Sequence, residues 1–79
     1  MLEELKTARK VVGIKQLRKA LNAGGVQKVF LAEDADPLLT DPIAERCRQV
    51  DIPVISVPTM KQIGAACGIH VGAAVAAIL

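Results

Sequence analysis

Tryptophan and tyrosine are absent, and Phe30 is the one aromatic residue of 79. RNA-binding modes that stack bases on aromatic platforms need several such rings, so they are all but excluded. Ser56 is the one serine and His70 the one histidine, which leaves a Ser–His–acid triad without spare parts. Two cysteines, Cys47 and Cys67, share no C-x-x-C spacing, against a structural zinc site or a redox pair. Neither G-x-G-x-x-G nor a Walker sequence occurs. The opening MLEELKTARK is too polar for a signal peptide, and the longest near-apolar run, residues 71–79, is far short of a membrane span. A cytoplasmic, reducing setting is therefore expected, with no cofactor, no metal, no membrane and no small-molecule substrate.

What is present is apolar material and a skewed charge. Hydrophobic residues make up 52% and charged residues 23%, enough for a core in one domain over residues 1–79, near the lower size limit for folding without staples. The net charge is +2, but residues 1–28 hold seven basic against two acidic side chains, and residues 29–79 three against six. A basic face on a small domain points to an anionic partner, nucleic acid first.

Leu2, Leu5, Ala8 and Val12 predict a first helix that fades towards Gly13. Ile14, Leu17 and Leu21 predict a second helix over 14–23, with Lys15, Gln16 and Lys19 on its opposite side and Asn22-Ala23-Gly24-Gly25 as its stop. Residues 28–32 read as a strand buried on both faces, closed by an acidic turn over 33–37. Pro37 to Thr40 suggests a helical turn, and Asp41-Pro42 a cap and first position for a third helix with Ile43, Cys47 and Val50 inward. Residues 52–57 predict a strand. Thr59 caps a fourth helix with Met60, Ile63, Gly64 and Cys67 on one stripe. A loop over 68–72 and a final buried strand within 73–79 follow. The alternation predicts an α/β fold, a three-layer α/β/α sandwich around a four-stranded mixed sheet.

Catalytic candidates are few. Cys67 and His70 stand three apart, but Cys67 sits on the apolar stripe, where a thiol is inert packing. Glu33, Asp34 and Asp36 could attract a hard cation, yet no EF-hand spacing supports it and turn chemistry accounts for them. No enzyme is expected. The helix opened by Gly13 is better suited to binding. Its N-terminal N–H groups and Lys15 and Lys19 attract phosphates. Gln16 can donate and accept at base edges.

Four blocks, residues 12–19, 29–37, 52–54 and 63–69, with the strand at 73–79, resemble the kink-turn-binding ribosomal protein family. That family includes the archaeal L-seven-Ae and eukaryotic L-thirty-e proteins, and its short bacterial members are the most similar. The resemblance covers essentially the whole chain. It implies recognition of the kink-turn, a sharply bent RNA element with tandem sheared G·A pairs beside a bulge. By this resemblance Gly13 permits close backbone approach, and Lys15, Gln16 and Lys19 contact the guanines and flanking backbone. The archaeal pattern has Asn and Glu where this chain has Lys15 and Gln16. Asp36 matches a position that helps hold the flipped-out bulge nucleotide. A lysine assisting that pocket in the family aligns with Met60, and Lys61 is its neighbour. Ile69, His70, Val71 and Gly72 correspond to the loop packed against the bulge, while Ala66, Cys67 and Gly68 match packing residues.

The expected partner is thus structured RNA containing a kink-turn, bound by a monomer. The alternative is a protein–protein interaction module on the same fold, docking an acidic partner through the basic helix.

Overall fold

In the computed structural model, which describes residues 2–79, four strands form one mixed sheet between two pairs of helices. The elements in order are α1 (Glu4–Thr7), β1 (Lys10–Val12), α2 (Ile14–Ala23), β2 (Lys28–Ala32), α3 (Pro37–Gln49), β3 (Val54–Val57), α4 (Met60–Cys67) and β4 (Val75–Ile78). The strand order is β1-β4-β2-β3. β4 runs antiparallel to both neighbours, pairing Val12 with Ala76 and Phe30 with Ala76 on its two sides. β2 and β3 are parallel, with Phe30 opposite Ile55. Hence β1, β2 and β3 all point the same way and β4 opposes them.

The period-2 alternation of strands separates two cores. Phe30, Ala32, Ala76 and Ile78 face one side, where Leu5 of α1 and Ile63 and Ala66 of α4 cover them. Val29, Leu31, Val75 and Ala77 face the other, under Leu17 of α2 and Ile43 and Cys47 of α3. The three-layer α/β/α sandwich is thereby established. Both central strands are buried on both faces, so β4 can be apolar at every position. Its two alanines leave room for the helices on either side. Phe30 is fully enclosed, which contributes on the order of 3 kcal/mol of apolar transfer.

Four expectations need correction. The apolar stripe ending at Val12 is not one helix: α1 stops at Thr7, and residues 10–12 are edge strand β1. β-branched Val11 and Val12 gain more by pairing with Ala77 and Ala76 than by extending a helix. The third helix starts at Pro37 rather than Pro42. Asp36 is its N-cap, its Oδ1 accepting from Leu38 N–H at 3.0 Å, and Pro37 occupies the first position. Pro42 then lies inside the helix, where it deprives the Leu38 carbonyl of its i+4 donor. Leu38 is 82% exposed, so water can replace that donor. Val50, expected inward, is exposed at the C-cap. The strand expected from residue 52 begins at Val54.

Candidate nucleic-acid interface

The direction of the strands decides what shares one end of the molecule. The carboxyl ends of β1, β2 and β3 lie beside the start of β4, so the beginnings of α2, α3 and α4 and the 68–74 loop gather there. Backbone hydrogen bonds tie them together. Gly13 N–H donates to Val75 O at 3.0 Å, Ala32 N–H to Ala74 O at 2.9 Å and Glu33 N–H to Val57 O at 2.8 Å. The crevice beyond the carboxyl ends of parallel strands is the usual ligand position in such sheets. Of the candidate residues from the sequence, Gly13, Lys15, Gln16 and Asp36 stand at helix starts of this end, Lys19 lies one turn further along α2, and residues 69–72 lead from the C-cap of α4 back towards it.

The three helix N-termini differ in how they are closed. At α4, Thr59 and Gln62 form a capping box, Gln62 N–H reaching Thr59 Oγ1 at 3.1 Å. Asp34 Oδ1 in addition accepts from Met60 N–H at 2.8 Å. At α3 the Asp36 carboxylate does the same work. At α2 the N-cap is Gly13, with no side-chain cap and no acidic residue in the first turn. The N–H groups of Ile14, Lys15 and Gln16 therefore face outward without a carboxylate, where the helix dipole adds positive potential. Lys15, Gln16 and Lys19 are exposed on that helix, while Leu17 is buried. Gly13 adopts φ 97° and ψ 157°, a conformation essentially confined to glycine. A Cβ there would meet nothing within 4 Å, so the backbone is open to close approach.

Two of the three acids over residues 33–37 are accounted for by this capping. Asp34 and Asp36 each hold a helix start, and the described residues contain no cluster of three or more His, Cys, Asp or Glu suited to a metal ion. No helix among them is long and apolar enough to cross a membrane. Met60, at the family's lysine position, is half-buried and packs against the core, while Lys61 is exposed.

The loop before β4 is braced by α4. Ile69 N–H donates to Gly64 O and Ala73 N–H to Met60 O, both at 3.0 Å. Gly64 permits this seating, since a Cβ there would stand 2.0 Å from Val71 O. Ile69, His70, Val71 and Gly72 are all exposed, Val71 at 71%. An apolar side chain so presented offers a surface for an unstacked base or another apolar group. Burial pushes the Cys67 thiol above its ordinary value, with the Lys10 ammonium pulling partly back. It is the reverse of an activated nucleophile. The bracing role of Gly64 and the second cap from Asp34 were missed in the sequence. A glycine midway along an apolar helix stripe was the available signal for the first; Asp34 had none, because its partner is 26 residues away.

The structure is an α/β/α domain with a basic α2 start that carries no side-chain cap, near an exposed apolar loop, an arrangement suited to an anionic partner. The chain belongs to the ribosomal protein L7Ae/L30e/S12e/Gadd45 family, whose model matches residues 1–79. It is 44% identical over 75 residues to an RNA-binding protein of Geobacillus sp. strain WCH70, covering 95% of this chain and 92% of that one. It is 40% identical to the RNA-binding protein YbxF of Geobacillus stearothermophilus, with the same coverage. Among solved structures, a 15.5 kD RNA-binding protein of Giardia lamblia superposes with a TM-score of 0.87 at 26% identity. That match covers 98% of this chain and 68% of the other. A Bacillus halodurans protein of unknown function matches with the same TM-score at 28% identity, covering 98% and 81%.

Proposed function

We propose that this chain binds RNA, and that the element it recognises is the kink-turn. The observation that carries the reading is the open start of α2. Three outward N–H groups, Lys15 and Lys19 supply phosphate attraction, and Gln16 supplies an amide for base edges. Family membership and the RNA-binding names of the relatives support the RNA partner. The kink-turn itself rests on the match of residues 12–19, 29–37 and 63–69 to the family's blocks.

The missing aromatics fit this role. A kink-turn offers shape, phosphates and purine edges, so a flat stacking platform is unnecessary. G·A edges are aligned for Gln16 only in the bent conformer, and a ligand shifts a two-state equilibrium only through such differential contacts. The protein therefore stabilises the kink as it binds. Asp36, held as the α3 cap, shapes the turn beside the bulge, and Ile69, His70, Val71 and Gly72 form the wall against which the bulged nucleotide rests.

Fluorescence anisotropy of a kink-turn RNA tests this, against the same RNA with its tandem G·A pairs replaced, over a salt series. Tight binding to the first and much weaker binding to the second is expected. Equal, weak and steeply salt-dependent binding to both would refute it and favour docking of an acidic protein instead.

A further inference from the structure

A second basic feature lies away from the sheet's carboxyl end. On the face covered by α2 and α3, the two helices leave an open cleft of about 230 Å³ lined by Arg18, Leu21, Asn22, Pro42, Ile43 and Arg46. Its floor is apolar, from Leu21, Pro42 and Ile43, and a guanidinium is contributed by each helix. Among the described residues neither Arg18 nor Arg46 enters an ion pair, whereas the neighbouring Arg48 is held by Glu45 at 3.1 Å. Two exposed guanidinium groups without acidic partners, separated by an apolar floor and accompanied by an amide, suit an anion with planar oxygen pairs.

The cleft continues the basic side of α2. Arg18 stands three residues beyond Lys15, about 4.5 Å further along the helix axis, and Asn22 about 6 Å further again. We infer that this cleft grips the phosphodiester backbone of an RNA stem leaving the recognition end. The interface is then a strip along α2 rather than a spot at its start, with Arg46 closing it from α3. This rests on the RNA-binding reading and assigns it two residues not among the candidate contacts above, Arg18 within the 12–19 block and Arg46 outside every block of family resemblance. Arginine stems pack readily along apolar surface such as that of Leu21, Pro42 and Ile43 while the guanidinium stays in water.

The experiment compares the wild type with the R18Q/R46Q double variant, both checked for folding by circular dichroism. Each binds a kink-turn RNA with long flanking stems, the same RNA with each stem trimmed in turn, the G·A-substituted control and a plain RNA duplex. Loss of two duplex phosphate contacts lowers the log–log salt slope by about 1.8. The wild-type advantage should therefore shrink about tenfold between about 50 and about 200 mM salt. Preference for the kink-turn over the control should survive, because the cleft touches no base edge. Trimming one particular stem should bring the wild type down to the variant and leave the variant unaffected.

An unchanged slope in the double variant overturns the inference. So does a slope loss that persists on every trimmed RNA, which would move both arginines to the recognition end. Should the wild type fail to prefer the kink-turn, the function proposed above falls. The cleft is then judged on the plain duplex, where the same slope loss upholds it and an unchanged slope ends it.

Discussion

Replacing Gly64 with alanine tests the contact that seats the 69–72 loop, and the sign of its effect is informative. In an exposed helix interior, glycine to alanine stabilises by about 1 kcal/mol, because glycine has more backbone freedom to lose. At Gly64 the added methyl would stand 2.0 Å from Val71 O, 3.1 Å from Val71 C and 3.2 Å from Gly72 Cα. All three are backbone atoms, so no side-chain rotation relieves the clash. Ordinary contact begins near 3.4 Å, and the loop must retreat by the difference from 2.0 Å, about 1.4 Å. Forcing an extra methyl into a packed site costs about 1–3 kcal/mol. The retreat also stretches the 3.0 Å bonds from Ile69 N–H to Gly64 O and from Ala73 N–H to Met60 O, so the upper part of that range applies. After the propensity gain, a net loss of about 1–2 kcal/mol remains, or a fall of roughly 4–16 °C in Tm for a domain of this size.

Thermal unfolding followed by circular dichroism reads this directly. Ala65→Gly provides the control on the adjacent, exposed position of the same helix. It should lose about 1 kcal/mol by propensity alone and leave RNA affinity unchanged. Gly64→Ala should lose more and also weaken kink-turn binding, because the displaced segment carries Val71. A Gly64→Ala protein with a raised Tm would refute the seating of the loop on α4. One with lowered Tm and full affinity would remove the loop from the interface.

Gln16→Ala should cost on the order of 1–3 kcal/mol of binding and blur the preference for G·A-containing RNA; retained discrimination against the substituted control would end its role. Lys6→Ala, in α1 on the opposite face, should weaken binding slightly and equally for all RNAs, which the same anisotropy series measures. Burial pushes both thiols up, so the folded protein should react slowly with thiol reagents, fully buried Cys47 more slowly than half-buried Cys67. The folded state then holds these protons more tightly than the unfolded chain. The thiol contribution to stability is complete below the ordinary value of 9.0 and is lost as pH rises beyond it; Cys47→Ala should flatten the alkaline limb of a stability–pH curve. Asp51 is the one non-glycine residue at positive φ among those described, at 58°. Asp51→Gly should relieve strain at the end of α3 and stabilise by up to about 1 kcal/mol, read as a higher midpoint in urea.

Legibility in the sequence followed the range of the interaction. The limits of α2 and β2 were plain because each is signalled locally, by a 3.6-residue stripe between glycines and by an apolar run ending in acids. The start of α3 was ambiguous because Asp36-Pro37 and Asp41-Pro42 carry the same cap-and-proline signature. Both helical turns form, and the earlier pair wins, leaving Pro42 inside at the cost of one hydrogen bond. Strand β1 was hidden for a different reason. Its three residues pair with β4, some 65 positions later, and that gain is invisible to local periodicity. The site divides the same way. Lys15, Gln16 and Lys19 could be grouped by helical spacing alone. The bracing of the loop by Gly64 and the α2–α3 cleft depend on elements brought together only by the sheet.

The capping pattern connects these levels. Three helices begin at the same end of the sheet, and two are closed with side chains chosen for it, Asp36 for α3 and Thr59, Gln62 and Asp34 for α4. A Ser, Asp or Asn side chain would ordinarily close a helix start such as this, adding a few tenths of a kcal/mol over glycine. The chain has glycine there instead, in a conformation that other residues resist, with open space beside it. Glycine caps nothing with a side chain, so the donors of Ile14, Lys15 and Gln16 stay free for an external acceptor. Departures from local stability rules are expected where function requires them. Here the departure coincides with the basic side chains of α2, which alone among the three helices starting at this end carries no side-chain cap. Under the function proposed above, a phosphate of the RNA takes the place of the missing cap and completes the α2 terminus.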